Sequence, residues 1–240
     1  MFNTIRVSYK STNRPYQANK FLAEISKHPI IAWDLEVASK YTDSQLVALQ
    51  NIIDNPLTPK LELIKAKSKL KSTALDHPSH CTITHCSIAI SESVGYVFII
   101  DNPAILNLVF HYLTTTTQTQ VLHNASYDFK HIYYHTGKFP INYEDTQILA
   151  KTLVNHVDIT QALTGLKQLA GKWYGNWGIS VDNFTIEQMY EPHVLLYSAT
   201  DSCATFKLWE FTNEQCALLD TQIKEEFCEK YDCDPPPDWM

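Results

Sequence analysis

The chain has 240 residues, 45% of them hydrophobic, and 19 lysines and arginines set against 26 acids give a net charge of −7. That content can bury one sizeable core and sits at the upper edge of a single domain. The charge argues against a protein that coats duplex DNA electrostatically, and no run approaches the ~18 apolar residues of a membrane helix.

The amino terminus, MFNTIRVSYKSTNRPYQ, lacks the apolar core of a targeting signal, so a cytoplasmic location is expected. The first predicted element is a strand over 30–36. Ile30, Ile31, Ala32 and Trp33 form an apolar, β-prone run of the kind buried inside a sheet. Side chains two apart on a strand leave from one face, so Asp34 and Glu36 point together while Leu35 faces the opposite layer. Carboxylates that close repel, and one takes up a proton unless a cation neutralises both. A ligand set made only of oxygen favours Mg²⁺ or Mn²⁺.

An insertion follows over about 41–80. Its basic stretch, PKLELIKAKSKLK, sets Lys65, Lys67, Lys69 and Lys71 around an apolar stripe of Leu61, Leu63 or Ile64, and Leu70. Two readings stand side by side: a solvated amphipathic helix, or a helix beside a DNA path or a partner. Strands are predicted over 81–91 and 95–100, joined by a short turn. His80-Cys81 and His85-Cys86 are ligand types for zinc, but the strand-like Thr82-Ile83-Thr84 between them sends the candidates to both faces. The six cysteines form no CxxC pair, and reduced thiols are expected.

Asn102 is a natural cap before Pro103 for a helix to about 113. A strand over 120–123 ends at Asn124 and Ala125, and Ser126 is the expected cap of a helix carrying Asp128 in its first turn. An acid there is favoured by the helix dipole. Helices are predicted over 145–154, 164–173 and 192–212, with a turn-rich segment around Gly171, Gly175, Gly178, Trp173, Tyr174 and Trp177. On the last helix Tyr197 and Asp201, four apart, project together. The stretch 225–240, with Pro235 to Pro237, is expected to be an extended or flexible tail.

Singly, each acidic pattern also suits a bland role: a solvated pair, a helix-start acid, a hydrogen-bonded surface pair. Together they resemble the DEDDy, or DnaQ-like, 3′-to-5′ exonuclease superfamily, and within it the proofreading domain of family A DNA polymerases, of bacteriophage type. The first motif falls on Asp34 and Glu36, the second on His123, Asn124, Ala125, Ser126, Tyr127 and Asp128, and the third on Tyr197 and Asp201. Asp145-Thr146 and the Leu-rich run Gly165 to Ala170 look like the family's intervening helices, and the likeness spans about 28–212.

The resemblance implies a ribonuclease H-like α/β fold, a mixed five-stranded sheet flanked by helices, with an exonuclease domain over 1–224. It implies two Mg²⁺ or Mn²⁺ ions ~3.5–4 Å apart. Asp34 would bridge them, Glu36 and Asp201 would complete one site, and Asp128 would support the other. It implies that Tyr197, with Glu36, orients the attacking water, and that Asn124, Tyr127, Leu35 and Val37 contact substrate. The expected substrate is DNA with a free 3′ end, released as nucleoside 5′-monophosphates, and the expected partner a replicative polymerase. An exoribonuclease resembling ribonuclease D and a binding module without activity are the alternatives. Complete carboxylates speak against the last.

Overall fold

A six-stranded mixed sheet organises the protein, in a computed structural model describing residues 6–39, 43–72, 78–153, 164–174 and 186–231. Gly175, Trp177, Gly178, Cys233 and the proline tail lie outside the described residues. In chain order the elements are β1 (Ser8–Thr12), α1 (Pro15–Ile25), β2 (Ile30–Ser39), α2 (Asp43–Asp54), α3 (Lys60–Ser72), β3 (Cys81–Ser91), β4 (Val94–Ile99) and α4 (Pro103–Thr115). They continue with β5 (Thr119–Leu122), α5 (Ala125–Thr136), β6 (Tyr143–Asp145), α6 (Thr146–Leu153), α7 (Leu166–Tyr174) and α8 (Pro192–Tyr231).

The spatial order is β1-β4-β3-β2-β5-β6. β2 lies antiparallel to β3 and parallel to β5, so the central strand has partners on both edges. Its apolar run follows from that position: Ile31, Trp33 and Leu35 enter one core with Phe21, Phe98, Phe110 and Leu113, while Ala32 and Val121 pack against Cys203 and Phe206 of α8. Trp33 is 1% exposed, and its indole N–H donates to Gln120 Oε1 at 3.0 Å. The mixed α/β fold with helices on both faces is as expected, but the described sheet has six strands rather than five. β1 and β6 are short, polar edge strands whose identity comes from pairing with β4 and β5.

Asn102 caps α4 as expected, accepting from the backbone N–H groups of Ala104 and Ile105. α8 is longer than the sequence suggests and runs to Tyr231, well into the stretch expected as tail, because no glycine or proline interrupts it before Pro235. Lys224 and Asp220, one turn apart, pair at 2.7 Å along it. Near its start α8 passes close to the sheet at Gly95, where an added Cβ would stand 3.4 Å from the Ala199 Cβ and 3.5 Å from the Cys203 Sγ. That approach sets the height of Tyr197 and Asp201 over β2. Among the described residues, no helix is long and apolar enough to cross a membrane.

Candidate active site

Alternation along β2 places Asp34 and Glu36 under α8, and the i, i+4 spacing on α8 places Tyr197 beside Asp201. The result is one acidic cluster. Carboxylate oxygens of Asp34, Glu36 and Asp201 all lie within 4.8 Å of one another. The β2–β3 register shifts between Glu36 and Val37, a bulge immediately beyond the second acid. Such irregularities re-aim side chains at sites of function. Thr84 braces it, its hydroxyl donating to the Glu36 carbonyl at 3.1 Å.

Asp128 is buried at the start of α5 and adjoins the cluster through the strand itself, its Oδ1 accepting the Leu35 N–H at 3.2 Å. Leu35 offers only that backbone group. Its side chain is 3% exposed and lies in the core on the opposite face, away from the carboxylates. Val37 likewise packs against that core. Strand alternation accounts for Leu35: a residue between two inward-facing acids must face away from them.

Burial is the first cause of the cluster's electrostatics. It pushes the Asp34 carboxyl up to about 7, helped by the neighbouring charge of Asp201 and opposed by Lys167. Asp201 rises to about 6 from burial, with Lys167 and a hydrogen bond from Tyr197 pulling the other way. Glu36 and Asp128 are raised well above the ordinary carboxylate range, by burial and then by the charge of Asp34. Burial and the same carboxylates raise the Tyr197 phenol, which excludes a phenolate at neutral pH. Glu36 Oε1 is buried with no hydrogen-bond partner among the described residues. A buried carboxylate oxygen left unpaired among like charges is the donor a hard cation would take up. The all-oxygen set therefore fits Mg²⁺ or Mn²⁺.

The cap of α5 differs from expectation. Asn124 stands in the left-handed region (φ 62°, ψ 52°), and Ser126 donates its hydroxyl to Asn124 Oδ1 at 3.1 Å instead of capping the helix. The cap comes from the end of β6. The Asp145 carboxylate accepts from the N–H groups of Asn124 at 3.0 Å, Ala125 at 2.9 Å and Gln147 at 2.9 Å, tying the starts of α5 and α6 together. His123 completes this anchor, 2.8 Å from Thr146 Oγ1 and 2.9 Å from the Thr164 carbonyl. Asn124 is exposed and Tyr127 half-buried at the rim that these contacts fix.

Lys167, on α7, stands in the sequence only as part of a Leu-rich helix. Its Nζ donates to Tyr197 Oη at 2.8 Å, sits 4.2 Å from the centre of that ring and lies 3.8 Å from Asp201 Oδ2. A lysine one residue past the start of a helix whose Leu169 and Ala170 face the core was the available signal, since that position is free to point toward α8.

The 3′-5′ exonuclease family matches residues 61–217, which include the Asp128, Tyr197 and Asp201 motifs. The chain belongs to that family. Solved structures agree in fold. This exonuclease resembles Brucella melitensis NrnC with bound Mg²⁺ at a TM-score of 0.55 and 14% identity, over 95% of this chain and 90% of that one. It resembles Escherichia coli RNase D, an exoribonuclease involved in structured RNA processing, at a TM-score of 0.56 and 13% identity, over 93% of this chain but 48% of that one. Trypanosoma brucei RNase D in complex with RNA U12 aligns at a TM-score of 0.58 and 12% identity, over 87% and 63%. At such identities the likeness establishes the ribonuclease H-like, DnaQ-type fold. No curated protein matches the sequence.

Proposed function

We propose that the protein is a divalent-metal-dependent 3′-to-5′ exonuclease that removes nucleoside 5′-monophosphates from the free 3′ end of single-stranded or frayed DNA, as a proofreading activity for a replicative polymerase. The observation that carries this reading is the convergence of Asp34, Glu36 and Asp201 within 4.8 Å, with Asp128 hydrogen-bonded to the same strand and Tyr197 against Asp201. Asp34, Glu36 and Asp201 would hold the metal, with Asp128 supporting it from the start of α5. Bound divalent ions supply charge neutralisation at the phosphodiester and acidify water for attack.

The chain's own groups do the rest. Tyr197 stays protonated and is fixed by Lys167, so it orients the attacking water as a hydrogen-bond partner and does not serve as a base. Glu36 offers its unpaired Oε1 on the same side. Asn124 and Tyr127, set at the rim by the Asp145 cap, contact the terminal nucleotide. The step is in-line displacement at phosphorus by water, with cleavage of the P–O3′ bond and a proton delivered to the departing 3′ oxygen.

A second reading, an RNase D-like exoribonuclease, is favoured by the fold neighbours, which include RNase D structures from Escherichia coli and Trypanosoma brucei. Single strands labelled at the 3′ or the 5′ end, as DNA and as RNA, in Mg²⁺, Mn²⁺ or chelator, decide between them. Stepwise shortening from the 3′ end of DNA that stops in chelator supports the proposal. Preference for RNA supports the second reading, and no degradation of either sinks both.

A further inference from the structure

The acidic site lies at the end of β2, and the chain leaves that end into an element that the proposed chemistry does not use. β2 stops at Ser39, three residues past Glu36. The helical hairpin of α2 and α3 follows, and the chain returns in β3, whose Cys81 pairs with Ser39. Both stems of the hairpin are thus rooted at the site's end of the β2–β3 ladder. β5, parallel to β2, delivers the start of α5 and Asp128 to the same end.

α3 divides into two faces at helical spacing. Ala66, buried, and Leu63, half-buried, are one turn apart on the inner side. Lys60, Leu61, Ile64, Lys65 and Lys67 fall together on the outer side, linked by i, i+3, i+4 and i+7 steps. All five are exposed, Leu61 at 65% and Ile64 at 55%. The single acid of α3, Glu62, lies off that face. In a chain of net charge −7, a face that carries, among the described residues, three lysines and no acid has the opposite sign to the carboxylate pocket at whose end of the sheet the hairpin is rooted.

We infer that this outer face of α3 is a clamp for single-stranded nucleic acid, holding the phosphates of the strand upstream of the 3′ end while that end occupies the acidic site. The inference rests on the exonuclease reading and names where the rest of the substrate lies. A polyanion cannot run across the acidic rim without repulsion, and the lysines offer the compensating charge. The exposed Leu61 and Ile64 between them supply apolar surface against which sugars and bases pack. A strand long enough to reach the hairpin gains affinity from it, whereas a dinucleotide does not.

The test is the full-length triple variant Lys60→Gln, Lys65→Gln, Lys67→Gln beside the wild type and a Lys→Arg triple variant. Binding of a fluorescent 20-nucleotide strand is followed by anisotropy in chelator, and turnover of that strand and of a dinucleotide in Mg²⁺. Each phosphate contact on a single strand contributes about 0.7 to the slope of log affinity against log salt, so losing three flattens it by about 2, a roughly 20-fold smaller loss of affinity between 50 and 200 mM salt. The expected result is weaker binding of the long strand with that flatter slope, dinucleotide turnover within about twofold of wild type, and recovery in the arginine variant. Unchanged long-strand binding at every salt concentration overturns the clamp and leaves the face to a protein partner. Equal loss on both substrates also overturns it, because the hairpin then acts through the site. Should the wild type degrade nothing, the exonuclease reading fails by itself, and the anisotropy measurement still decides whether the helix binds the strand.

Discussion

The two faces of β2 are opposite in character. On one, Ile31, Trp33 and Leu35 are sealed in hydrocarbon, and Trp33 satisfies its only polar atom on Gln120, whose amide in turn donates to the Leu113 and Ile141 carbonyls at 3.0 and 2.9 Å. On the other, Asp34 and Glu36 meet Asp201 under α8, with an unpaired oxygen among like charges. The same strand, with the same backbone bonds, stabilises the fold through one face and strains it through the other. Burial that strengthens the first raises the energy of the second, since removing water from an anion favours its protonated form. The polar face is therefore one that a cation would relieve, and the apolar face carries the stability that lets it persist.

The largest effect expected is from Asp34→Asn, which removes one charge at nearly constant volume. Exonuclease activity should fall by more than about 100-fold, beyond the 10–100-fold typical of a residue that only supports a metal ligand. In chelator at pH 8 the variant should melt higher than wild type, because burial and Asp201 both oppose the Asp34 charge. A variant that is inactive but melts lower would break the comparison.

Trp33→Ala addresses the other face. Emptying this site should cost about 3–5 kcal/mol in urea unfolding, with Gln120 Oε1 losing its partner as well. Specific activity of the folded fraction should stay close to wild type, because the indole lies in the core on the face away from the carboxylates. Loss of activity without loss of stability would show that the two faces are not separable.

The pH dependence of stability sharpens the same contrast. Asp34 at about 7 and Asp201 at about 6 lie above the ordinary 3.8, so the native state binds more protons than the unfolded chain between roughly pH 4 and 7. Their contribution is fully present below that window and is lost as pH rises through it. The melting temperature in chelator should fall from pH 5 to pH 8, less steeply in Asp34→Asn, and saturating Mg²⁺ or Mn²⁺ should reduce the fall. A wild type and variant with parallel pH profiles would contradict the assignment of the shift to this cluster.

Much of this contrast was legible in the chain before any coordinates. Period-two alternation gives the facing of Asp34, Leu35 and Glu36, and period-four spacing gives Tyr197 and Asp201, since both follow from local geometry alone. The apolar run from Ile30 gives β2 its central place. What was not legible depends on partners distant in sequence. β1 and β6 are polar and short, and exist as strands because β4 and β5 present free edges. Asp145 reads locally as the opening of α6, and only the fold turns its carboxylate onto the N–H groups of Asn124 and Ala125, displacing Ser126 from the capping role. The exposed second half of α8, with Leu218, Leu219 and Ile223, carries no amphipathic signal that would mark how far it extends. Lys167 shows in the sequence only as a position of α7 off the Leu169 and Ala170 face, and that it meets a tyrosine thirty residues away depends on how α7 packs on α8.

That lysine supplies the finest test. Lys167→Met keeps the aliphatic stem and deletes the charge that opposes the raised carboxyls of Asp34, Glu36 and Asp201. Tyr197 then loses the donor that fixes its hydroxyl. Turnover should drop 10–100-fold, as for other residues that orient a reacting group's neighbours, with KM for a dinucleotide little changed. Because the lysine is 49% exposed, solvent screens much of its attraction, and its effect on stability should be smaller than that of Asp34→Asn. The sign is what decides. Without this cation the carboxylates repel more, so the metal-free protein should melt lower at pH 8, opposite to Asp34→Asn, and in the double variant the lysine deletion should cost less than it does alone. If both single variants instead moved the melting temperature in the same direction, packing rather than charge would govern this face of β2.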